Sequence, residues 1–270
     1  MSSASPAFPS ASSAPPAPGG APSALAAVAA LDLSREDERD DALFYAGPRL
    51  VKHLDAGACF VLTSHLREAL ARFVDLRDVA GREGADVLDL CASWASHLPL
   101  DAPLARVHGV GLNEAELAAN GQLSDWRVQD LNAQPALRHL ADASFDAAVC
   151  ACGVMYLTRP LEVARELRRV LRRGGVAVLS FSDRAFPSKA TRAWLRGGDE
   201  ARAAYASALL RAAGFARVEA LDLSPSARGV SDPLFVVQGF KEEGEAEEEV
   251  GGEGLGGTAA AAAAAAASLG

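Results

Sequence analysis

The sequence predicts an α/β fold in which a seven-stranded, mostly parallel sheet carries helices on both faces. Three observations lead to this prediction. Short apolar segments alternate with helix-length connectors along the body of the chain. The segment 145–152 is apolar on both faces, as a central parallel strand should be. The last two apolar segments are separated only by residues 224–233, too few for a crossover helix, so we expect an antiparallel hairpin.

Composition divides the 270 residues into a folded body and two low-complexity ends. Residues 1–34 consist mainly of Ser, Ala, Pro and Gly, and residues 1–31 carry no charge, so we expect this segment to be disordered. Residues 241–270 are rich in Glu, Gly and Ala, and we expect the same of this tail. Residues 35–240 have the size of one domain, in which residues 35–84 form a helical arm ahead of the sheet.

Charge and hydropathy argue against several classes of partner. The formal net charge is −9, and without seven glutamates of the tail it is −2. The body has no basic stripe, so we expect no nucleic-acid partner. No apolar run has the length of a membrane span, and the N-terminus lacks a secretory signal, so we expect no membrane association and a cytoplasmic location. The Ser-rich, acid-poor segment 1–31 leaves a plastid transit peptide as the alternative.

The first strand ends in an acid and a run of small residues. A helix is predicted over residues 64–76, with Ser64 as its cap, and the strand 87–90 follows it. Asp89 lies near the end of this strand, before a run of Cys, Ala and Ser. In open α/β sheets, ligands bind in the crevice outside the carboxyl ends of the strands. The segment is therefore a candidate ligand-binding loop, and an ordinary loop after a buried strand is the alternative.

Further strands and helices follow in alternation. Pro99 and Pro103 interrupt the region of the first crossover, which predicts an irregular connection there. The clearest helix is predicted to begin at Thr158 as its cap and to end at Gly174 and Gly175. The remaining predicted strands are 107–112, 126–128, 145–152, 176–181, 215–223 and 234–240, and the remaining predicted helices are 114–120 and 199–213. Together these elements form a Rossmann-like arrangement.

Two segments resemble a known family. The run ELRRVLRRGGVAVLS, residues 166–180, is similar to the helix–Gly–Gly–strand signature of class I S-adenosylmethionine-dependent methyltransferases, especially methyltransferase type 11. Its usual form there is E-x-x-R-V-L-K-P-G-G, and Arg173 replaces the proline. The segment SFDAAVCACGVMYLTRP, residues 144–160, resembles the fourth strand and following loop of that family. The resemblance covers about residues 85–240 and implies S-adenosylmethionine as cofactor and a small-molecule or protein methyl acceptor.

The chain departs from that family at the cofactor loop. The family usually has D-x-G-x-G-x-G, whereas Asp89 is followed by Cys91, Ser93 and Ala95 at the glycine positions. Glycine permits positive φ and close backbone approach, which other residues adopt only at a cost. The acid that usually ends the second strand is replaced by Gly111.

The resemblance implies roles at the methionine end of the cofactor. Asp89 would hold this end together with the backbone of Leu90, Cys91 and Ser93, or it would simply cap the loop. Cys152, after the fourth strand, would line the floor of the crevice beside the methyl group. The four cysteines of the chain lack a zinc-site spacing, so no metal site is predicted.

The resemblance also implies roles toward the nucleoside and the acceptor. Asn113 or Glu114 would bind the ribose hydroxyls, and Asn113 is equally suited to cap a helix. Asp130 would accept a hydrogen bond from the adenine amino group, flanked by Leu131, and a turn residue is the alternative. Tyr156 would orient the acceptor, or would be a core aromatic.

The predicted function is therefore methyl transfer from S-adenosylmethionine. The alternative is a non-catalytic member in which the fold is kept as a binding or scaffold module, since the cofactor loop lacks its glycines. A nicotinamide-dependent oxidoreductase fits less well, because it requires Gly-x-Gly-x-x-Gly after the first strand.

Overall fold

The computed structural model describes residues 23–80, 84–225 and 230–242. Most of the predicted N-terminal disordered segment and nearly all of the predicted C-terminal tail lie outside the described residues. The strands are β1 (Ala85–Leu90), β2 (Leu104–Gly111), β3 (Asp125–Val128), β4 (Phe145–Ala151), β5 (Leu171–Phe181), β6 (Arg217–Asp222) and β7 (Phe235–Phe240). The helices are α1 (Ala24–Ala29), α2 (Asp41–Phe44), α3 (Ala56–Ala80), α4 (Glu114–Ala119), α5 (Pro160–Val170), α6 (Arg192–Arg196) and α7 (Asp199–Ala212). A short 3₁₀ turn covers Val154–Tyr156.

The strands form a seven-stranded sheet in the order β3-β2-β1-β4-β5-β7-β6. β1 is central and pairs in parallel with β2 and β4, while β7 runs antiparallel to both β5 and β6. The predicted mostly parallel sheet with an antiparallel hairpin strand is confirmed. Because β1, β2 and β4 are parallel neighbours, their carboxyl ends meet at one edge of the sheet, and the loops that follow them can form one site.

Alternate side chains of the central strands enter two hydrophobic clusters, one on each face of the sheet. Leu88 and Leu90 join the cluster covered by α5 and α7, whereas Val87 joins the cluster covered by α3. This alternation follows from the period of two along a strand. Asp89 shares the face of Val87, so its carboxylate is placed among apolar side chains at the end of β1.

The predicted start of the long helix was wrong. α3 begins at Ala56, because the Asp55 carboxylate accepts a hydrogen bond from the N–H of Ala58 at 2.8 Å and caps the first turn. Ser64 lies inside the helix, and its hydroxyl donates to the carbonyl of Phe60 at 2.9 Å. Neither α3 nor any other helix in the described ranges combines the length and the apolar character needed to cross a membrane.

The boundaries predicted for the helix before β5 were also wrong at both ends. No side chain caps the start of α5, so Thr158 does not have the predicted role. The helix ends before Leu171, because the chain passes directly into β5, where Leu171 pairs with Phe145. Gly174, with φ of 72°, lies inside β5 where the pairing with β4 is irregular. It thus permits a bend in a strand rather than ending a helix.

The predicted boundary of disorder at residue 34 was placed too late. α1 packs against α7, and Val28 is 5% exposed within the hydrophobic core. The hydroxyl of Ser23 accepts from the N–H of Ala26 at 3.2 Å and caps α1. The charge-free composition concealed this helix, since its alanines and Val28 provide both helix propensity and an apolar face.

One buried carboxylate anchors the arm to the sheet. Asp41, which is 3% exposed, accepts hydrogen bonds from Arg35 at 2.8 Å, from Lys189 at 2.9 Å and from Asn132 at 2.8 Å. Burial opposes ionisation of Asp41, but the hydrogen bonds from these partners hold its pKa below the ordinary value. Because Asn132 follows β3 and Lys189 follows β5, this network attaches the arm across the carboxyl edge of the sheet.

We predict that Asp41→Ala lowers the free energy of unfolding by about 3–5 kcal/mol, because it removes the nearer carboxylate of the Lys189 ammonium, which is 0% exposed, and leaves only that of Asp37 at 3.6 Å. Urea unfolding followed by circular dichroism measures the change. Asp101→Ala is the matched control, since Asp101 pairs with Arg67 at the surface and should contribute less than about 1 kcal/mol. Equal losses in the two variants would contradict the anchoring role.

Candidate functional site

A cavity of about 590 Å³ lies at the carboxyl ends of β1, β2 and β4, within the range of small-molecule sites. The loop after β1, the arm and the loops after β3 and β5 enclose it. The predicted site residues that line it are Asp89, Cys91, Ser93, Asn113, Asp130, Leu131, Cys152 and Tyr156. The side chain of Leu90, whose backbone was the predicted cofactor contact, is 1% exposed and belongs to the hydrophobic core. Glu114 lies on the exposed side of α4, outside the cavity wall, so its predicted position was wrong.

Asp89 is a buried acid in the wall of the cavity. Its side chain is 3% exposed, and among the described residues its Oδ2 has no hydrogen-bond partner. Burial raises the pKa of Asp89 to about 7, while a hydrogen bond with Ser96 acts in the opposite direction. A buried carboxylate oxygen of this kind is costly unless a donor reaches it. The position therefore suits a cationic ligand group, such as an ammonium.

The loop after β1 makes its turn without glycine. Cys91 has φ of 55°, the left-handed region that glycine adopts at no steric cost. The N–H of Ala92 donates to the carbonyl of Val110 at 2.8 Å and ties the loop to the end of β2. Cys91 thus takes the conformation that the sequence analysis associated with glycine, at a cost on the order of 1–3 kcal/mol.

The end of β2 has no room for a side chain. A Cβ atom built on Gly111 would lie 2.1 Å from the carbonyl oxygen of Ala92. The loop backbone thus occupies the space into which the missing acid would project. Glycine at residue 111 and the non-glycine residue Cys91 both differ from the family pattern, and the two differences belong to one backbone arrangement.

Asn113 is a helix cap that also holds the arm. Its Oδ1 accepts from the N–H of Glu116 at 3.0 Å and caps α4. Its Nδ2 donates to the carbonyls of Tyr45 at 2.8 Å and Ala46 at 3.2 Å. The capping interpretation is confirmed, and both polar atoms of this side chain are engaged within the protein.

Glu116 is a site residue that the sequence analysis missed. It is 7% exposed and accepts from the N–H of Arg49 at 2.7 Å and from the hydroxyl of Ser93 at 2.5 Å. It therefore joins the arm to the loop after β1. The signal was present in the sequence, because Glu at the third helical position after an Asn cap is a capping-box pattern.

Asp130 lines the cavity and forms a turn with one of its two carboxylate oxygens. Its Oδ1 accepts from the N–H groups of Asn132 at 2.8 Å and Ala133 at 3.3 Å, so the turn interpretation is confirmed for that oxygen. Its Oδ2 accepts no hydrogen bond from the described residues, and Leu131 beside it is 5% exposed. A carboxylate oxygen next to an apolar side chain is a suitable arrangement for an aromatic amine.

The half-buried thiol of Cys152 and the buried thiol of Cys150 are both neutral at pH 7. Burial raises the pKa of Cys152 to about 12. A hydrogen bond with Cys91 and burial raise the pKa of Cys150 well above its usual value. Across the described ranges, no three His, Cys, Asp or Glu side chains are grouped to hold a metal ion.

Tyr156 lies on the side of the cavity formed by the arm and the loop after β5. Its hydroxyl oxygen accepts from the N–H of Phe186 at 3.0 Å, and the two ring centroids are 6.0 Å apart. Burial raises the pKa of Tyr156 to about 12, so the hydroxyl is protonated at neutral pH and can donate a hydrogen bond. Phe186 itself was not singled out by the sequence, since an isolated aromatic in a loop carries no pattern.

The sequence matches one family model and one curated protein locally. Residues 88–179 match the family described as Methyltransferase domain, about a third of the chain. The ubiquinone/menaquinone biosynthesis C-methyltransferase UbiE of Roseobacter denitrificans is 39% identical over 79 residues. These residues are 29% of this chain and 30% of that protein, so the match spans under a third of the relative's length.

Several solved structures are similar to this chain. One is phosphoethanolamine N-methyltransferase 2 of Haemonchus contortus, in complex with phosphomonomethylethanolamine and S-adenosylhomocysteine, with 11% identity, a TM-score of 0.43, and coverage of 64% of this chain and 52% of that one. Another is a possible histamine N-methyltransferase of Thermotoga maritima, with 16% identity, a TM-score of 0.43, and coverage of 66% and 99%.

We predict that Gly111→Ala lowers the free energy of unfolding by about 1–3 kcal/mol, because the new methyl group must displace the carbonyl of Ala92. Thermal unfolding measures the effect. Gly121→Ala is the control, since a Cβ there would meet nothing within 4 Å and should change stability by about 0.5 kcal/mol or less. Gly111→Asp should be at least as destabilising as Gly111→Ala. If either Gly111 variant is as stable as the wild type, the loop after β1 moves aside at little cost and the prediction is wrong.

Proposed function

We propose that this chain transfers a methyl group from S-adenosylmethionine to a small-molecule or protein acceptor, since residues 88–179 match a methyltransferase domain. The observation that carries the proposal is the unpartnered Oδ2 of Asp89 in the wall of a 590 Å³ cavity. A buried carboxylate oxygen at the end of the central strand matches the cationic methionine end of this methyl donor. The local identity to a C-methyltransferase also supports the proposal.

The bound cofactor supplies an electrophilic methyl group on a sulfonium. In our proposal, Asp89 binds the ammonium of the methionine end, and the backbone after β1 supports the same end. Oδ2 of Asp130 accepts from the adenine amino group, with Leu131 against the ring. Asn113 and Gly111 provide no free polar side-chain atom, so ribose contacts fall to the loop backbone or to other polar groups of the cavity wall.

The chain's own residues keep the methyl group from reacting within the protein. Cys152 lines the cavity, but its raised pKa of about 12 keeps the thiol protonated, and a thiol is a far weaker nucleophile than a thiolate. The arm covers the crevice and limits the access of water: Trp94 donates to the carbonyl of Val51 at 3.0 Å, and Glu116 accepts from the backbone of Arg49. Exclusion of water favours transfer to a bound acceptor over hydrolysis.

The proposal assigns Tyr156 to orientation of the acceptor. Its hydroxyl oxygen is held by the N–H of Phe186, and its proton is available for donation to an acceptor group. Direct displacement requires the acceptor atom in line with the methyl group and needs no fixed catalytic triad. Positioning is therefore the main contribution of these side chains.

Calorimetric titration of the full chain with S-adenosylmethionine, S-adenosylhomocysteine and NAD tests the proposal. We expect both sulfur compounds to bind and NAD to show no binding. Absence of binding by both sulfur compounds at millimolar concentration would refute methyl transfer and would favour a scaffold role for the fold.

We predict that Asp130→Asn weakens S-adenosylhomocysteine binding about ten- to hundredfold, because the amide keeps the turn acceptor but offers N–H₂ in place of the second carboxylate oxygen. Calorimetry on wild type and variant measures the ratio. Asp101→Asn, a surface variant far from the cavity wall, should bind like wild type. A neutral Asp130→Asn would overturn the adenine placement while leaving the cofactor assignment in place.

We predict that the affinity for S-adenosylhomocysteine rises with pH up to about 7 and then levels off, because only ionised Asp89 attracts the ammonium. The slope below pH 7 should approach tenfold per pH unit. Asp89→Asn should remove this slope. The remaining pH dependence of the affinity should come only from His53 and His97, whose pKa values burial lowers. Calorimetry from pH 5.5 to about 8.5 in both proteins measures the difference. An unchanged slope in the variant would contradict the role of Asp89.

In the ligand-free protein, the raised pKa of Asp89 makes the free energy of unfolding fall as the pH rises, whereas ligand affinity rises with pH. Since the folded pKa of about 7 lies above the ordinary 3.8, the contribution of Asp89 to stability is complete below pH 3.8 and is lost as the pH rises toward 7. Asp89→Asn should remove this loss. Urea unfolding of ligand-free wild type and variant at pH 5 and about 8 measures it. Parallel pH dependences of the two proteins would contradict the raised pKa.

A further inference from the structure

Arg49 is a cation in the cavity wall whose guanidinium is only partly satisfied. Its Nη2 donates to the carbonyl of Phe44 at 2.9 Å. Its Nη1 is buried and has no hydrogen-bond partner among the residues that the structure describes. Because a buried N–H without an acceptor is costly, Nη1 is suited to bind a ligand atom.

The carboxylate of Glu116, which contacts the backbone of Arg49, already accepts two hydrogen bonds within the protein. Glu116 accepts from the backbone N–H of Arg49 and from the hydroxyl of Ser93, and no ion pair joins the Arg49 guanidinium to a carboxylate of the described residues. A guanidinium facing a cavity without a carboxylate partner leaves a positive site for an anionic ligand group.

Aromatic rings hold the guanidinium in place. Its central carbon lies 4.6 Å from the ring centroid of Phe44, 5.4 Å from that of Phe186 and 5.6 Å from that of Tyr45. These cation–π contacts offset part of the desolvation of the charge. Since its backbone is also held by Glu116, Arg49 is pre-organised and little rotamer entropy remains to be lost on binding.

The same rings line the cavity and suit a planar ligand. Tyr45, Tyr156 and Phe186 all belong to the wall, and the rings of Tyr156 and Phe186 are inclined by only 30°. The wall also carries the acids Asp89 and Asp130, which suit the cationic cofactor, while Arg49 places a cation among the aromatic rings.

We propose that Nη1 of Arg49 binds the carboxylate of the methyl acceptor, and that the acceptor is a small carboxylic acid with a planar ring. The inference rests on the proposed function and names the substrate class of the same site. Arg49 fixes the acid, Tyr45, Tyr156 and Phe186 contact the ring, and the ring atom or substituent to be methylated faces the floor at Cys152.

The methionine carboxylate of the cofactor is the other possible source of this group. The guanidinium lies against Phe186 in the loop after β5, whereas Asp89 ends β1, and β4 lies between these two strands. At about 4.8 Å per strand, the tips of β1 and β5 are about 10 Å apart. Because Glu116 also links the backbone of Arg49 to Ser93 in the loop after β1, the experiment includes a ligand without the amino-acid portion to distinguish the two sources.

The test uses the full chain with saturating S-adenosylhomocysteine and two probe pairs: benzoate with methyl benzoate, and 2-naphthoate with methyl 2-naphthoate. Calorimetry should show the acids binding at least about tenfold more tightly than their esters. Arg49→Gln should abolish this preference and leave S-adenosylhomocysteine binding unchanged. Arg67→Gln, at the surface in a pair with Asp101, should retain the preference.

Other results overturn the proposal. Equal affinity for acid and ester in the wild type, or no binding of either, removes the carboxylate site. An acid preference that persists in Arg49→Gln makes Arg49 a structural residue of the arm. If Arg49→Gln weakens S-adenosylhomocysteine but not 5′-methylthioadenosine, which lacks the amino-acid portion, the carboxylate belongs to the cofactor.

Two measures keep the test decisive. Thermal unfolding confirms that Arg49→Gln is folded, and Arg49→Lys, which keeps the charge, should retain part of the acid preference if the first variant is unstable. The acid and ester titrations are repeated without S-adenosylhomocysteine. An acid preference there, in a protein that binds no S-adenosylhomocysteine, would refute methyl transfer while supporting the anion site.

Discussion

The arm, the loop after β3 and the loop after β5 meet at one buried carboxylate, that of Asp41. It accepts from Arg35, Lys189 and Asn132, and Lys189 is itself 0% exposed. Each of these partners comes from a different segment of the chain. A buried ionic network of this kind is strongly dependent on every member, because loss of one leaves another charge without compensation. The shape of the cavity therefore depends on a contact outside its floor.

A second constraint acts on the loop after β1. There a backbone carbonyl occupies the space that a side chain at residue 111 would need. The carbonyl of Ala92 fills the space in front of Gly111, while Cys91 adopts positive φ. The loss of glycine after β1 and the loss of an acid after β2 are thus compatible with each other. The cavity wall still offers Asp89, Asp130 and Arg49 for ligand binding. In our proposals the two acids serve the cationic methyl donor and Arg49 serves an anionic acceptor.

Sequence patterns predicted the strands and helices well where the pattern of buried side chains determines the element. The apolar strand around Val87 and the amphipathic helix before β5 were recognised, since period and composition alone determine such segments. Helix ends were predicted less well, because several residues can compete as caps: Asp55 replaced Ser64 in α3. α1 was missed because its composition matches that of the low-complexity segment before it, and only its packing against α7 distinguishes the two.

The sequence by itself determined the mostly parallel sheet with its antiparallel hairpin, the methyltransferase resemblance and eight residues of the crevice wall. These follow from periodicity, from short motifs and from the fact that parallel strands end at one edge. Tertiary structure alone decided which polar groups are available there. Asn113 is engaged by Tyr45 and Ala46, Glu114 points away while Glu116 is buried, and Arg49 enters the cavity from an arm far away in sequence. Hydrogen-bond satisfaction and burial depend on partners many residues distant, and no local pattern in the chain records those partners.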